Sequence, residues 1–420
     1  VQGRAGELAD PAEPNLPGVF AVGFDTSSPY EKDIFRGSGN IYRRPEREVS
    51  LHGNGRELDN RLSPAEIGGG VPRRFRVRLD AVPGGSEVTV EVGGTKVYDR
   101  QFVAGVKPAS GWSMVVPKGT SPVPLRATAG RAVPADKSKS VKVFEKALND
   151  QDHHRQTQTV DLPIDVSRFA RVIATLELSA TPKGIDPWDR LASITMKGAD
   201  GKRYEVLRYI TPYRKGWVWR VDLTHLLPIL QGRREFQLQC ETYAQGWLVD
   251  FDLEYVEGPL KVRPAEVRQL WSVTAPIGQA NLPFGKSVPP QKVDVGGGWK
   301  KAEVWTTVTG HGMDPNTDNA AEFLALWRKL TVGGKTHQNT LWREDCYLNP
   351  CRPQGGTWKF DRAGWRPGDV VSPWTVDVTK KLARKGPTEF RYEIQPYVNR
   401  TPAEGNPARH VIDSVLVLYR

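Results

Sequence analysis

The feature that most constrains this chain is a two-residue alternation of apolar side chains that recurs at short intervals. It runs through Phe75, Val77 and Leu79; Val88, Val90 and Val92; Val172, Ala174, Leu176 and Leu178; Ala302, Val304, Thr306 and Val308; and Val415, Val417 and Tyr419. Successive side chains of an extended segment point to opposite faces, so each set lines one apolar face of a strand. Pro83-Gly84-Gly85, Gly93-Gly94, Asp200-Gly201, Gly333-Gly334 and Gly405-Asn406-Pro407 fall between such segments, and residues of this kind close hairpins between antiparallel strands. Only residues 319–329 ("NAAEFLALWRK") and 222–230 carry a helical turn or two. The expected fold class is all-β, a set of β-sandwiches.

At 420 residues the chain has room for several domains. The segment 118–140 ("KGTSPVPLRATAGRAVPADKSKS") is poor in large apolar groups and reads as a linker or long loop, and a second break falls at residues 258–264. The expected domains are therefore 1–125, 141–260 and 262–420. Residues 18–106 have the texture of a concanavalin-like or laminin-G-like sandwich, with carbohydrate or partner binding and a purely structural role both open. No run of about eighteen apolar residues occurs, so no membrane span is expected.

The formal charge of +11 comes from scattered Lys and Arg rather than a block, which argues against a nucleic-acid partner. Cys346 and Cys351 flank Asn349-Pro350 and suit a local disulfide in an oxidising compartment, whereas Cys240 lies in an apolar run and suits a buried thiol. A secreted or periplasmic chain is expected from these cysteines and from a start at Val1.

Several chemistries are excluded by spacing. "FGKS" at 284–287 and "GGKT" at 333–336 lack the upstream glycine of a phosphate loop. The seven histidines show no metal-ligand spacing, no nucleophile elbow is present, and neither metal nor cofactor is expected. What remains is acidic. Asp189 lies in "PWDR", Glu241 follows the apolar run "FQLQC", Glu322 follows a Gly/Asn/Asp loop, and Arg362 and Trp365 sit in the turn-rich segment 355–368.

These segments together resemble the bacterial peptide N-glycosidase F family, amidases that cut the bond between the first N-acetylglucosamine and asparagine. The resemblance rests on "PWDRLASITM" at 187–196, "YEVLRYITPY" at 204–213, "ETY" at 241–243, "VDFDLEY" at 249–255, "AEF" at 321–323, "CYLNP" at 346–350 and "DRAGWRPG" at 361–368, in the family's order over about two-thirds of the chain. It implies two adjacent eight-stranded antiparallel jelly rolls, here preceded by the extra β-sandwich, with the site between the rolls. It implies that Asp189 is the principal catalytic carboxylate, with Glu241 and Glu322 beside it. Arg190 and Arg362 would be the site's cations, acting on the asparagine carbonyl or holding the carboxylates. Trp188, Trp365 and Trp247 would offer aromatic faces to sugar, and Tyr243, His311 and Phe323 would occupy substrate-contact positions. The implied partners are N-glycosylated peptides and proteins, bound by a monomer.

Hydrolysing a secondary amide needs an activated water, donors for the developing oxyanion and a proton for the leaving amine, which carboxylates and arginines supply. The chain also departs from the family. Tyr243, Phe323 and His311 replace other residues at sugar-contact positions, and Arg366 stands where the family has the cysteine that would partner Cys346. The competing classes are a non-catalytic glycan-binding module, which has no need of this charge set, and a copper monooxygenase, which needs histidine clusters absent here.

Overall fold

The computed structural model describes residues 19–24, 48–65, 67, 73–108, 136–279, 281–312, 321–383, 385–398 and 407–420. Most of the expected linker and Met313, beside His311, lie outside them. The chain divides into two compact units, residues 1–137 with 348–352, and residues 138–347 with 353–420.

The first unit contains two three-stranded antiparallel sheets. One joins Phe20–Phe24, Glu48–Gly53 and Arg56–Leu62; the other joins Phe75–Val82, Gly85–Val92 and Thr95–Ala104. Val49, Leu51, Val88, Val90 and Val92 bury their side chains in one core, the alternation of the sequence made physical. Within this unit Arg352 forms ion pairs with Glu48 at 2.8 Å and Glu57 at 2.9 Å.

The second unit is built from four antiparallel sheets in two layers each. In its amino-terminal half, Ser138–Asn149, Phe169–Ser179, Trp217–Asp222 and Trp247–Glu257 form one sheet, while Arg155–Asp161, Leu191–Lys197, Arg203–Ile210 and Arg233–Cys240 form most of the other. In its carboxyl-terminal half, Pro264–Pro276, Lys301–His311, Trp374–Asp377 and Arg409–Tyr419 face Gln291–Val293, Leu326–Val332, Lys335–Leu341 and Thr388–Ile394. Each half has its own apolar core, one around Val172, Leu176, Ile194, Leu238 and Phe251 and the other around Val304, Leu330, Phe390 and Leu416.

One short strand ties the halves together. Asp369–Val370, from the carboxyl-terminal half, pairs with Tyr209 and Ile210 as the outer strand of the amino-terminal half's five-stranded sheet. The Gly368 N–H donates to the Ile210 carbonyl at 3.0 Å, and the Val371 N–H to that of Arg208 at 2.9 Å. The loop just before this strand is thereby carried to the end of the neighbouring half's strands, where "ITPY" begins.

Two expectations are corrected. Leu326–Val332, inside the stretch with helical character, is a strand, because its partners Lys335–Leu341 and Thr388–Ile394 satisfy its backbone on both sides. The other stretch does contain one helical turn, a 3-10 helix at Thr224–Leu226. The second correction concerns the disulfide: Cys346, Cys351 and Cys240 are all free, buried thiols. Cys346 opens a 3-10 turn and directs its Sγ to the carbonyl oxygens of Arg343 and Trp365, at 3.9 and 3.7 Å. The Cys351 N–H is held by Asn349 Oδ1 at 2.8 Å. Burial pushes the Cys346 thiol up to about 12, so it holds its proton and exchanges slowly.

Denatured without reductant, the protein should therefore titrate three thiols per chain with a chromogenic disulfide. A titre of one would restore the Cys346–Cys351 bond.

Candidate active site

Asp186 explains the form of the "PWDR" loop. It is fully buried, accepts from the Trp188 N–H at 2.9 Å and takes a second hydrogen bond from the Thr242 hydroxyl. Its backbone donates to Gly246 and accepts from Arg214, at 3.1 and 3.0 Å. Thr211 then clamps the far side: its Oγ1 donates to the Trp188 carbonyl at 3.0 Å and accepts from the Arg190 N–H at 2.7 Å. One carboxylate of the pair is thus spent on the turn. The other, Asp189, is left to project from the fixed loop.

Across from it stands Arg362, whose side chain has 0% exposure. An arginine has five N–H donors and can accept nothing, and here four are hydrogen-bonded. Nη1 donates to the carbonyls of Thr357 and Phe360 at 2.8 and 2.6 Å. Nη2 donates to Thr357 Oγ1 at 2.7 Å and lies 3.7 Å from Asp189 Oδ2, and Nε reaches Glu322 Oε1 at 3.3 Å. The rings of Phe323 and Trp365 each lie 4.9 Å from its guanidinium carbon.

The backbone brings Glu322 to this point. The Ala363 N–H donates to the Glu322 carbonyl and the Gly310 N–H to the Ala363 carbonyl, both at 2.9 Å. Gly310 has to be glycine, since a Cβ there would sit 2.1 Å from the Ala321 carbonyl oxygen and 2.7 Å from the Ala363 methyl. An ionic frame supports the same loop. Arg343 pairs with Asp345 at 2.8 Å and Asp369 at 3.7 Å, while Arg366 pairs with Asp369 at 2.5 Å and Asp345 at 3.3 Å. Arg343 and Arg366 hold the Asp345 carboxyl well below the usual range despite its burial.

Burial pushes the Asp189 carboxyl up, opposed by Arg362, by Tyr213 and by Arg190. Burial also raises Glu322, against the pull of Arg362 and with the help of Asp189's charge. Burial, with the repulsion between like charges, outweighs the pull of the shared guanidinium, which favours the ionised forms.

The other expected residues divide by exposure. Trp188 is 54% exposed and Tyr243 77%, so both present aromatic surface beside Asp189's loop. Arg190 lies over the Tyr243 ring at 5.8 Å, and its buried Nε has no hydrogen-bond partner among the described residues. Glu241 is exposed, and joins the set through Arg409, whose charge both Glu241 and Glu322 favour. Phe323 is half-buried against Arg362. Trp365 is only 3% exposed, with its indole N–H donating to the Gly310 carbonyl at 2.8 Å. It forms the floor under Arg362 and offers no open face, a correction to its reading as an aromatic wall. His311 stacks on Trp365 at 5.3 Å and donor–acceptor pairs with Thr309, and Trp247 is buried in the core, so neither is placed to meet a ligand directly.

Three residues of the constellation were not singled out from the sequence. Tyr213 favours the ionised Asp189 carboxyl, Thr357 Oγ1 accepts from Arg362 and lies 3.1 Å from Tyr213 Oη, and both glutamates act on the charge of Arg409. Tyr213 ends the quoted "ITPY" and Thr357 lies in the turn-rich segment 355–368, so both were open to notice; Arg409 lies in a segment without a pattern. Among the described residues, no group of three or more His, Cys, Asp and Glu side chains could hold a metal ion.

Paired antiparallel jelly-roll layers bearing a carboxylate–arginine set on converging loops define an all-β protein with a hydrolase-type acid–base site. A sequence profile described as "Peptide-N-glycosidase F, C terminal" matches residues 281–417. The chain is 29% identical over 296 residues to the peptide-N(4)-(N-acetyl-beta-D-glucosaminyl)asparagine amidase F of Elizabethkingia miricola, covering 63% of this chain and 80% of that one. Its fold matches the structure of PNGase F, described as a glycosylasparaginase from Flavobacterium meningosepticum, with a TM-score of 0.60 at 24% identity, over 67% of this chain and 96% of that one. It also matches PNGF-II, with a TM-score of 0.53 at 14% identity over 88% of each chain. The chain is thus similar to the peptide-N-glycosidase F family over about two-thirds of its length.

Arg362→Lys should both destabilise the protein and stop turnover, because a lysine has three donors in place of five and cannot span Asp189, Glu322 and Thr357. Breaking a buried charge set typically costs about 3–5 kcal/mol, which urea unfolding would resolve. A lysine variant with wild-type stability would show that the guanidinium is not the organising charge.

Proposed function

We propose that this chain is an amidase that hydrolyses the bond between N-acetylglucosamine and asparagine in N-linked glycopeptides, releasing the glycan and leaving aspartate. The observation that carries the reading is the buried Arg362 between Asp189 and Glu322. A binding module gains nothing from a buried arginine poised against two carboxylates, whereas an amide hydrolase needs a held base.

In this reading Asp189 orients and deprotonates the attacking water. Arg362, held by Thr357, Phe360 and Glu322 and 3.7 Å from Asp189, is read here as the group that holds the carboxylates. Arg190, with its unpartnered Nε beside exposed Tyr243, takes the amide carbonyl and its developing charge. Glu322 and Glu241, both near enough to act on the charge of Arg409, bind the sugar hydroxyls, and a raised Glu322 can donate as an acid. Trp188 and Tyr243 supply apolar faces for pyranose rings. The name of the Elizabethkingia relative supports the reaction class. Secretion would put such an activity where N-glycosylated proteins are found, and the first unit would add glycan or partner binding.

Mass spectrometry of a glycopeptide before and after incubation tests the reaction: conversion of the carrying asparagine to aspartate supports it, and an unaltered glycopeptide sinks it. Asp189→Asn should lower kcat by at least about a thousandfold with little change in melting temperature, since it removes only the charge that acts on water. Glu241→Gln should act mainly on KM.

The pH dependence follows from sign. Asp189's carboxyl is raised, so its ionised form, and with it kcat/KM, is lost on acidification at a pH above the ordinary carboxylate range of about 3.9. Glu322→Gln removes a repelling charge and should move that acid limb downward. An upward movement would contradict the arrangement.

A further inference from the structure

A polar level interrupts the interior of the carboxyl-terminal half. Ala408, just before the strand Arg409–Tyr419, belongs to a small apolar cluster with Ile277 and Leu326, whereas Ile412 belongs to the main core. In the facing sheet, Leu326 lies in the same small cluster and Leu330 in the main core. Inward positions recur every second residue along a strand, so His410 and Arg328 occupy the level between the two clusters, one from each sheet. Inner side chains of such paired sheets interdigitate across about 10 Å, a span that a long arginine and a histidine cover together.

Arg328 brings a charge to this level that no acidic group balances. The other buried arginines each pair with a carboxylate: Arg208 with Glu205, Arg362 with Glu322 and Arg366 with Asp369. Arg328 is 8% exposed, donates from Nε to Asn339 Oδ1 at 2.7 Å and lies over the Trp374 ring at 4.8 Å. Among the described residues no carboxylate pairs with it, and burial works against its charge.

Polar atoms without partners border the same level. Tyr392 stands opposite Leu330, two residues along from Arg328, and is therefore the arginine's diagonal neighbour on the inner face. Its Oη has no hydrogen-bond partner among the described residues, and neither have Nδ1 and Nε2 of His410. Both side chains are 1% exposed. Burial and the charge of Arg328 hold the imidazole down, at about 3, so it is neutral and one of its nitrogens carries a proton to donate.

We propose that this level binds one small monovalent anion of the halide type, held by the guanidinium of Arg328, the hydroxyl of Tyr392 and the imidazole of His410. The arginine supplies the balancing charge and the other two supply donors. Water would meet the hydroxyl and the imidazole yet leave the charge unbalanced, which is the costlier defect in an interior. Phosphate would bring a second charge and more acceptor oxygens than the level has donors. His410 pairs along its strand with Gly310 and Ala275, so the ion would fasten the two sheets just behind the backbone of Gly310 and Arg409. The site does not depend on the amidase reading.

Bromide is the probe. Crystals of the whole chain soaked in sodium bromide should show an anomalous peak between Arg328, Tyr392 and His410. In solution, the melting temperature is followed as sodium gluconate is exchanged for sodium bromide at constant ionic strength, which keeps screening fixed. An ion bound only by the folded chain stabilises it by mass action, so the melting temperature should climb by about 3 °C for each tenfold rise in bromide above the dissociation constant. Arg328→Met, which removes the charge and keeps most of the bulk, should show no such climb, and Tyr392→Phe should need about tenfold more bromide.

A wild-type melting temperature indifferent to bromide overturns the proposal, and a peak seen alongside that indifference is an adventitious ion only. An equal climb in wild type and Arg328→Met is a general salt effect and overturns it too, as does a climb with no bromide at this level. Should Arg328→Met not fold, Tyr392→Phe decides: a bromide dependence identical to wild type overturns the assignment.

Discussion

A guanidinium buried beyond the reach of solvent is the constraint around which the rest of this site is arranged. Moving such a charge out of water costs several kcal/mol unless every donor is met. The chain meets four of them with two backbone carbonyls, a threonine hydroxyl and the Glu322 carboxylate, and sets the Asp189 carboxylate 3.7 Å from the group. Because the guanidinium is planar and rigid, those bonds fix where Glu322 stands and leave Asp189 facing it across the ion pair. Loops that arrive from separate strands are held to one geometry by a single side chain. The aromatic rings of Phe323 and Trp365 close its faces and exclude water that would otherwise weaken the pairings.

Much of this was legible in the sequence, for identifiable reasons. Period-2 alternation marks a strand directly, so Val172–Leu178 and Val415–Tyr419 lie where the pattern put them. Leu326–Val332 was misread because "FLALW" suits a helix as well as a buried strand, and long-range pairing decided it. Asp189, Arg190, Glu322 and Arg362 were legible from motif order. The burial of Trp365 and His311 was not, because a tryptophan in a turn-rich loop reads the same whether it faces sugar or lies under an arginine. Tyr213 and Thr357 meet across 144 residues of sequence, and Arg409 lies far in sequence from the Glu241 and Glu322 charges that act on it; no local pattern announces such contacts.

The cysteines illustrate how one kind of tether can stand in for another. The resemblance places a cysteine where this chain has Arg366, and the structure uses that arginine in a frame with Arg343, Asp345 and Asp369. The loop bearing Arg362 is held by charge where a covalent link might be expected, and Cys346 remains a protonated thiol beside it.

The two-residue strand Asp369–Val370 has a consequence for how this protein can be divided. It caps part of the outermost strand Arg203–Ile210, whose backbone groups would otherwise stand open at the sheet margin. A fragment ending near residue 260 would lose Val267, Val415, Val417 and Tyr419 from its apolar core and present Tyr209 and Ile210 as an unclaimed template for any passing strand. The two halves are thus poor candidates for separate synthesis, shuffling or circular permutation between them: one completes the other's interior and closes its sheet margin, and the segment that covers that margin follows directly on the loop bearing Arg362.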